Sequence, residues 1–297
     1  MFDVKRLEGI IPPLATPLTE DEELDESGLR RLIRRVLEAG CHGVFILGGT
    51  GEGIYLSDQV QTRTIGVTVD EVAGRVPVVV GVSDVSVKRS VIRGKEAAQL
   101  GADVLISVPP YQRLMEPQEV YDYYVSLAEG TGMPTMLYNV PPDVRTDISV
   151  ETIARLAEHS RIAGMKDSAD FGHLASVAFH TKGTSFRLLC GVEHNLVPAI
   201  MVGAVGGTLA KGNLWPRLCI DTYNAAVANN WEESRAMQEK LTRFAGRMSG
   251  VPWVALCKYA LSLMGICGAT VMRPQRALDE REQRLAKSWL GEYGLIA

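Results

Sequence analysis

Apolar positions along the chain follow two alternating patterns, one at helical spacing and one in short continuous runs. Leu29, Leu32, Ile33, Val36 and Leu37 fall on one helical face, Gly40 stops that helix, and Gly43-Val44-Phe45-Ile46-Leu47 follows as an apolar strand. The unit recurs. A helical stretch over residues 86–100 meets Gly101 and then Val104-Leu105-Ile106-Ser107-Val108, and a helix led by Ser149, with Val150, Ile153, Ala154 and Ala157, precedes residues 162–166.

Strands are predicted over residues 10–16, 44–47, 78–82, 104–108, 135–138, 162–166, 186–190 and 204–209, eight in all. Their hydrophobicity is continuous rather than alternating, so both faces are covered, as in a parallel sheet wrapped by helices. Eight such units predict an α/β fold, a closed (β/α)8 TIM barrel, whose active sites lie at the C-terminal ends of the strands. Beyond Pro216 the strand pattern stops and helices are expected, including residues 231–248 and 253–264. This divides the chain into a catalytic barrel, residues 1–225, and a C-terminal helical extension, residues 226–297, that covers a barrel opening or mediates assembly.

Lys166 changes the picture from fold to chemistry, because it ends the apolar run Ile162-Ala163-Gly164-Met165. Lysine is almost never fully buried without a reason, and an amine drawn into apolar surroundings loses proton affinity and can attack a ketone to form a Schiff base. Tyr138 ends the preceding run, Pro134-Thr135-Met136-Leu137, in the matching place. Iminium chemistry needs an amine and a nearby proton shuttle, and these two residues on consecutive strand ends supply both. Each has a plainer role open to it: Lys166 as the partner of Asp167 in a buried ion pair, Tyr138 as a core ring whose hydroxyl reaches the rim.

Barrel geometry brings further strand-end residues to the same face. The Gly48-Gly49-Thr50-Gly51-Glu52-Gly53 loop offers clustered backbone N–H groups and a hydroxyl to a small carboxylate, or else only reverses the chain. It has neither Walker nor dinucleotide spacing, and Glu52 would repel a pyrophosphate. The Gly191-Val192-Glu193-His194 segment offers polar groups to a hydroxylated substrate, or stands as a solvated loop. The five histidines have no HxxxH or HExxH spacing, so no metal site is indicated.

Composition narrows the class further. With 297 residues, 46% hydrophobic, 22% charged and a formal net charge of -4, the chain reads as a soluble globular protein without the basic excess of a nucleic-acid or membrane-surface binder. The N-terminus lacks a signal-like apolar core and no run reaches the roughly 18 residues of a membrane span, so a cytoplasmic location is expected. Five cysteines without a CxxC pair suggest buried small hydrophobes rather than disulfides or zinc.

Thr50 within GGTGE, Tyr138 within YNVP and Lys166 within GMKD resemble the dihydrodipicolinate synthase and N-acetylneuraminate lyase family of class I aldolase-type barrels. The resemblance begins at Pro13-Leu14-Ala15-Thr16-Pro17 and continues through Gly206-Gly207-Thr208 to Asn213 and Pro216. It implies that Lys166 forms a Schiff base with pyruvate or the pyruvyl end of a 2-oxo acid, and that Tyr138 moves protons. It further implies that Gly49 and Thr50 bind the carboxylate, that Thr208 lines the pyruvyl pocket through its main chain, and that Ser168, Gly191 and Glu193 meet the hydroxylated tail. No metal or organic cofactor is implied, and a homotetramer built as a dimer of dimers is.

Departures from the family pattern shift the expected substrate. Synthases of this family carry a second threonine where Gly49 stands, a relay tyrosine at Gln112, and a carboxylate-gripping arginine whose ungapped counterpart is Asp143, with Arg145 two residues on. Replacing a bidentate guanidinium by a carboxylate removes a charge-assisted pair and adds repulsion. The expected activity is therefore a Schiff-base lyase that cleaves or dehydrates a 2-keto-3-deoxy sugar acid. Dihydrodipicolinate synthase is the alternative within enzymes, and a non-catalytic 2-oxo-acid-binding barrel the alternative outside them.

Overall fold

The computed structural model describes residues 2–247 and 249–296. Eight parallel strands, β1 (Gly9–Ile10), β2 (Val44–Ile46), β3 (Val78–Gly81), β4 (Val104–Ser107), β5 (Thr135–Asn139), β6 (Ile162–Asp167), β7 (Arg187–Cys190) and β8 (Gly206–Gly207), pair in the order β1-β8-β7-β6-β5-β4-β3-β2. The ring closes through a parallel bridge between Pro13 and Phe45. There Leu14 N–H donates to Phe45 O at 2.7 Å and Phe45 N–H to Pro12 O at 3.1 Å. The (β/α)8 barrel expected from the apolar runs is the fold observed.

The first and last strands are shorter than the sequence predicts. Pro12 and Pro13 have no N–H to give a ladder, which cuts the predicted 10–16 strand to two residues. At β8 the backbones close in instead: a Cβ on Gly206 would lie 2.0 Å from Gly9 O, and pairing beyond the strand continues as single bonds, such as Gly9 N–H to Val205 O at 2.9 Å.

Helices α1 (Glu26–Glu38), α2 (Asp58–Val72), α3 (Val87–Gln99), α4 (Pro117–Thr131), α5 (Val150–Ala157), α6 (Phe171–His180), α7 (Leu196–Val202) and α8 (Pro216–Val227) surround the strands. Side-chain caps start several of them, with Ser86 accepting from Arg89 N–H and Ser149 from Thr152 N–H. Beyond the barrel lie α9 (Trp231–Arg247), α10 (Trp253–Leu263) and α11 (Glu280–Glu292). Trp215, Phe244 and Tyr293 pack edge-to-face at 5.1 to 5.7 Å between centroids and tie the start of α8 to α9 and the end of α11.

Two apolar groups make most of the core. Leu7, Ile11, Phe45, Val79, Val104, Ile106, Met136, Ala163 and Leu189 fill the barrel interior, while the larger group lies between strands and helices. The five cysteines are free and buried.

Candidate active site

Side chains alternate across a strand, so which residues of β6 point inward depends on register. Thr135 of β5 lies opposite Ile162, but Met136 lies opposite Gly164, leaving Ala163 as an extra residue. Such bulges are rare between parallel strands and re-aim the side chains that follow. Ala163 packs in the barrel interior and Met165 in the outer layer. Lys166 therefore enters the barrel, and Gly164 makes room for the close approach, since a Cβ there would sit 2.1 Å from Arg187 O.

Lys166 is 5% exposed, and its Nζ donates to Tyr138 Oη at 3.0 Å. It also lies 4.1 Å from the Tyr138 ring centroid and 5.5 Å from that of Phe45, whose ring meets Tyr138 edge-on. Lys166 makes no ion pair among the described residues. Asp167, on the opposite face of β6, is fully buried and pairs instead with His173 Nδ1 at 2.7 Å, while accepting from Asn139 Nδ2 and Ala169 N–H. Burial would lower the His173 pKa, but the Asp167 hydrogen bond and charge outweigh it and raise it to about 9.

Gly191, at the end of β7, abuts this pair: a Cβ there would fall 2.0 Å from Ser168 Oγ and 3.0 Å from Lys166 Cε. Ser168, Gly191 and Lys166 thus come together. Glu193 does not stand free, because its carboxylate accepts from Lys211 N–H at 3.0 Å and lies 4.0 Å from Lys211 Nζ. Thr208 is buried, with its N–H donating to Cys190 O at 2.8 Å and its hydroxyl without a partner.

The loop after β2 is held open by backbone geometry and by distant residues. Leu47 and Glu52 both adopt left-handed φ of 59°, and Thr16 Oγ1 donates to Gly51 O at 2.7 Å. The N–H groups of Gly49, Thr50 and Gly51 donate to no group among the described residues, and nothing lies within 4 Å of where a Gly49 Cβ would be. Thr50 Oγ1 accepts from Trp253 Nε1 at 3.3 Å. Glu52 turns away from the mouth: fully buried, it pairs with Lys258 and accepts from Met272 N–H at 2.7 Å and Gln275 Nε2 at 2.8 Å. It is thus an anchor for the loop.

Other expected contributors lie outside this group. Gln112, Asp143, Arg145 and His194 are exposed. Asp143 and Val144 close a turn on Val140 O, and buried Val144 packs with Val108 and Val140. Sequence reasoning did not find Phe45, His173, Lys211, Trp253 or Lys258. Lys258 carried a usable signal, since it interrupts the apolar stretch Trp253-Val254-Ala255-Leu256-Cys257 much as Lys166 interrupts its own run.

Comparison with known proteins agrees with the barrel and the motifs. The Dihydrodipicolinate synthetase family pattern matches residues 6–292. A 4-hydroxy-tetrahydrodipicolinate synthase of Gluconacetobacter diazotrophicus is 31% identical over 99% of this chain and 100% of its own. A probable 2-dehydro-3-deoxy-D-pentonate aldolase of Escherichia coli is 30% identical over 91% of this chain and 92% of its own. Among solved structures, a prophage protein of the dihydrodipicolinic acid synthase family from Escherichia coli K12, in complex with pyruvate, superposes with a TM-score of 0.93 at 29% identity, covering 97% of this chain and 99% of that one. The chain belongs to the dihydrodipicolinate synthetase family and is a class I aldolase-type lyase.

Proposed function

We propose that this lyase acts on a 2-oxo acid, releasing pyruvate from, or dehydrating, a 2-keto-3-deoxy sugar acid. Thr50 and the free N–H groups of Gly49 and Thr50 hold the carboxylate. The Lys166 amine adds to C2 of the ketone, and loss of water leaves an iminium that accepts electrons as the C3–C4 bond breaks or as C3 loses a proton, the resulting enamine then expelling the C4 hydroxyl. Tyr138 carries the proton that these steps move. Ser168, Gly191 and Glu193 border the hydroxylated tail, Glu193 with one carboxylate oxygen already engaged by Lys211, and Thr208 lines the pyruvyl pocket. The observation that carries the reading is the buried Lys166 Nζ, unpaired with any carboxylate among the described residues and 3.0 Å from Tyr138 Oη.

The sugar-acid preference draws support from the aldolase relative and from exposed Asp143 and Gln112 where synthases have their arginine and relay tyrosine. Borohydride with pyruvate is expected to add a reduced pyruvyl group to the Lys166 peptide, and absence of that adduct refutes the mechanism. A mass-spectrometric screen over 2-keto-3-deoxy acids then separates pyruvate release from water loss. The several relatives named 4-hydroxy-tetrahydrodipicolinate synthase favour a second reading, which steady condensation of pyruvate with aspartate semialdehyde would establish in place of the first.

Residues 1–225 serve in this reading as the catalytic barrel and 226–297 as its helical extension, in a cytoplasmic homotetramer. No described helix is long and apolar enough to cross a membrane. Exposed Ile54, Tyr55, Val85, Val87, Ile92 and Leu114, on or beside the loops after β2, β3 and β4, support self-association.

A further inference from the structure

The C-terminal helix α10 reaches the loop after β2 at two points, Lys258 on Glu52 and Trp253 on Thr50. The second contact determines what the Thr50 hydroxyl can do. An indole N–H only donates, so at this bond Thr50 Oγ1 must accept. One lone pair is thereby occupied, and the single hydroxyl proton, which has no acceptor among the described residues, is left to point elsewhere. Thr50 is 8% exposed at the edge of the free N–H groups.

The indole is itself fixed. Lys211, in the short turn Ala210–Asn213 after β8, sets its ammonium 3.9 Å from the Trp253 ring centroid. A cation over an indole face is attracted by the ring quadrupole, most strongly when little water intervenes, and the Lys211 side chain is only 15% exposed. Glu193, 4.0 Å from Nζ, adds a second hold on the ammonium. A continuous line of contacts thus runs from the loop after β7, through the turn after β8 and helix α10, to the loop after β2.

We propose that Trp253 is a positioning residue for substrate binding: with its ring braced by Lys211, it occupies the acceptor side of Thr50 and leaves that hydroxyl as a donor to the 2-oxo acid carboxylate. The proposal rests on the carboxylate role assigned to Thr50 above. A carboxylate only accepts, so a Thr50 hydroxyl free to rotate would spend part of its time presenting a lone pair to it.

Trp253→Phe keeps an aromatic ring at the position and removes the pyrrole ring with its N–H. The test is borohydride trapping of the pyruvate adduct at Lys166 in the full chain, quantified across pyruvate concentrations. Half-saturation is expected to rise about three- to tenfold, the value of one neutral hydrogen bond, with the plateau unchanged. In a Thr50→Val background the same substitution is expected to add nothing. An equal rise in that background, or no rise in the native background while Thr50→Val alone gives one, overturns the positioning role. Thr50→Val without effect overturns the carboxylate assignment beneath it, and no adduct in the native chain overturns the Schiff base. If Trp253→Phe does not fold, Lys211→Met, which removes the charge over the ring, is read the same way: a rise that vanishes with Thr50→Val supports the proposal, and one that persists overturns it.

Discussion

Tyr138 keeps its ring packed edge-on against Phe45 with or without a hydroxyl, so Tyr138→Phe isolates the proton-transfer role from the packing role. Turnover is expected to fall about 100- to 10,000-fold, while pyruvate can still be trapped on Lys166; unchanged turnover would reduce Tyr138 to a core residue. His173 makes the opposite kind of contribution. Its pKa rises from 6.5 to about 9 in the fold, so the stability it confers is complete below about pH 6.5 and is lost as pH climbs through about 9. Urea midpoints are expected to decline over that window, and His173→Gln to flatten the decline while lowering stability by about 3 kcal/mol, because Asp167 is left buried without its charge partner. Lys166 and Tyr138 were legible as polar residues ending apolar runs. The pairing of Asp167 with His173 was not, because sequence could not tell which β6 side chains face inward.

At the scale of elements, the eight runs were legible because buried parallel strands need no polar face. Their ends were not: Pro12 and Pro13 lie within an apolar run yet cannot extend a ladder, and the glycines of β8 are chosen by backbone proximity. Helix α10 is the element whose part sequence missed. Burial pulls the Lys258 ammonium pKa down, against the opposing pull of Glu52, so the pair depends on both members. Lys258→Met is expected to cost about 3 to 5 kcal/mol by stranding the Glu52 carboxylate, seen as a lower denaturant midpoint. Adding Glu52→Gln should restore much of that loss; a double variant as unstable as the single would show that α10 packing, not charge, holds the loop.

For the whole molecule, the expected assembly turns on the apolar residues beside the loops after β2, β3 and β4. Ile92 is 57% exposed and Ile54 51%, and their replacement by Asp is expected to shift light-scattering mass toward that of a monomer, whereas a native mass already equal to one chain would rule the tetramer out. Barrel and family were legible across the chain because motifs and runs repeat at strand spacing. The substrate was less so, since it depends on a few loop positions, Gly49, Gln112 and Asp143, whose side chains or lack of them matter only in three dimensions.

The extra residue in β6 carries a consequence for how such a chain can change. Deleting Ala163 would leave the GMKD motif intact and let Ile162 and Gly164 pair regularly opposite Thr135 and Met136, so Lys166 would keep its place beside Tyr138 at the barrel axis. The identity of the nucleophile is written at one position, while its address is written in the ladder that runs from Gly164 onward. A single-codon loss at Met165, inside that ladder, would by contrast put Lys166 in the outward position that Met165 holds and leave the amine on the wrong side of the wall.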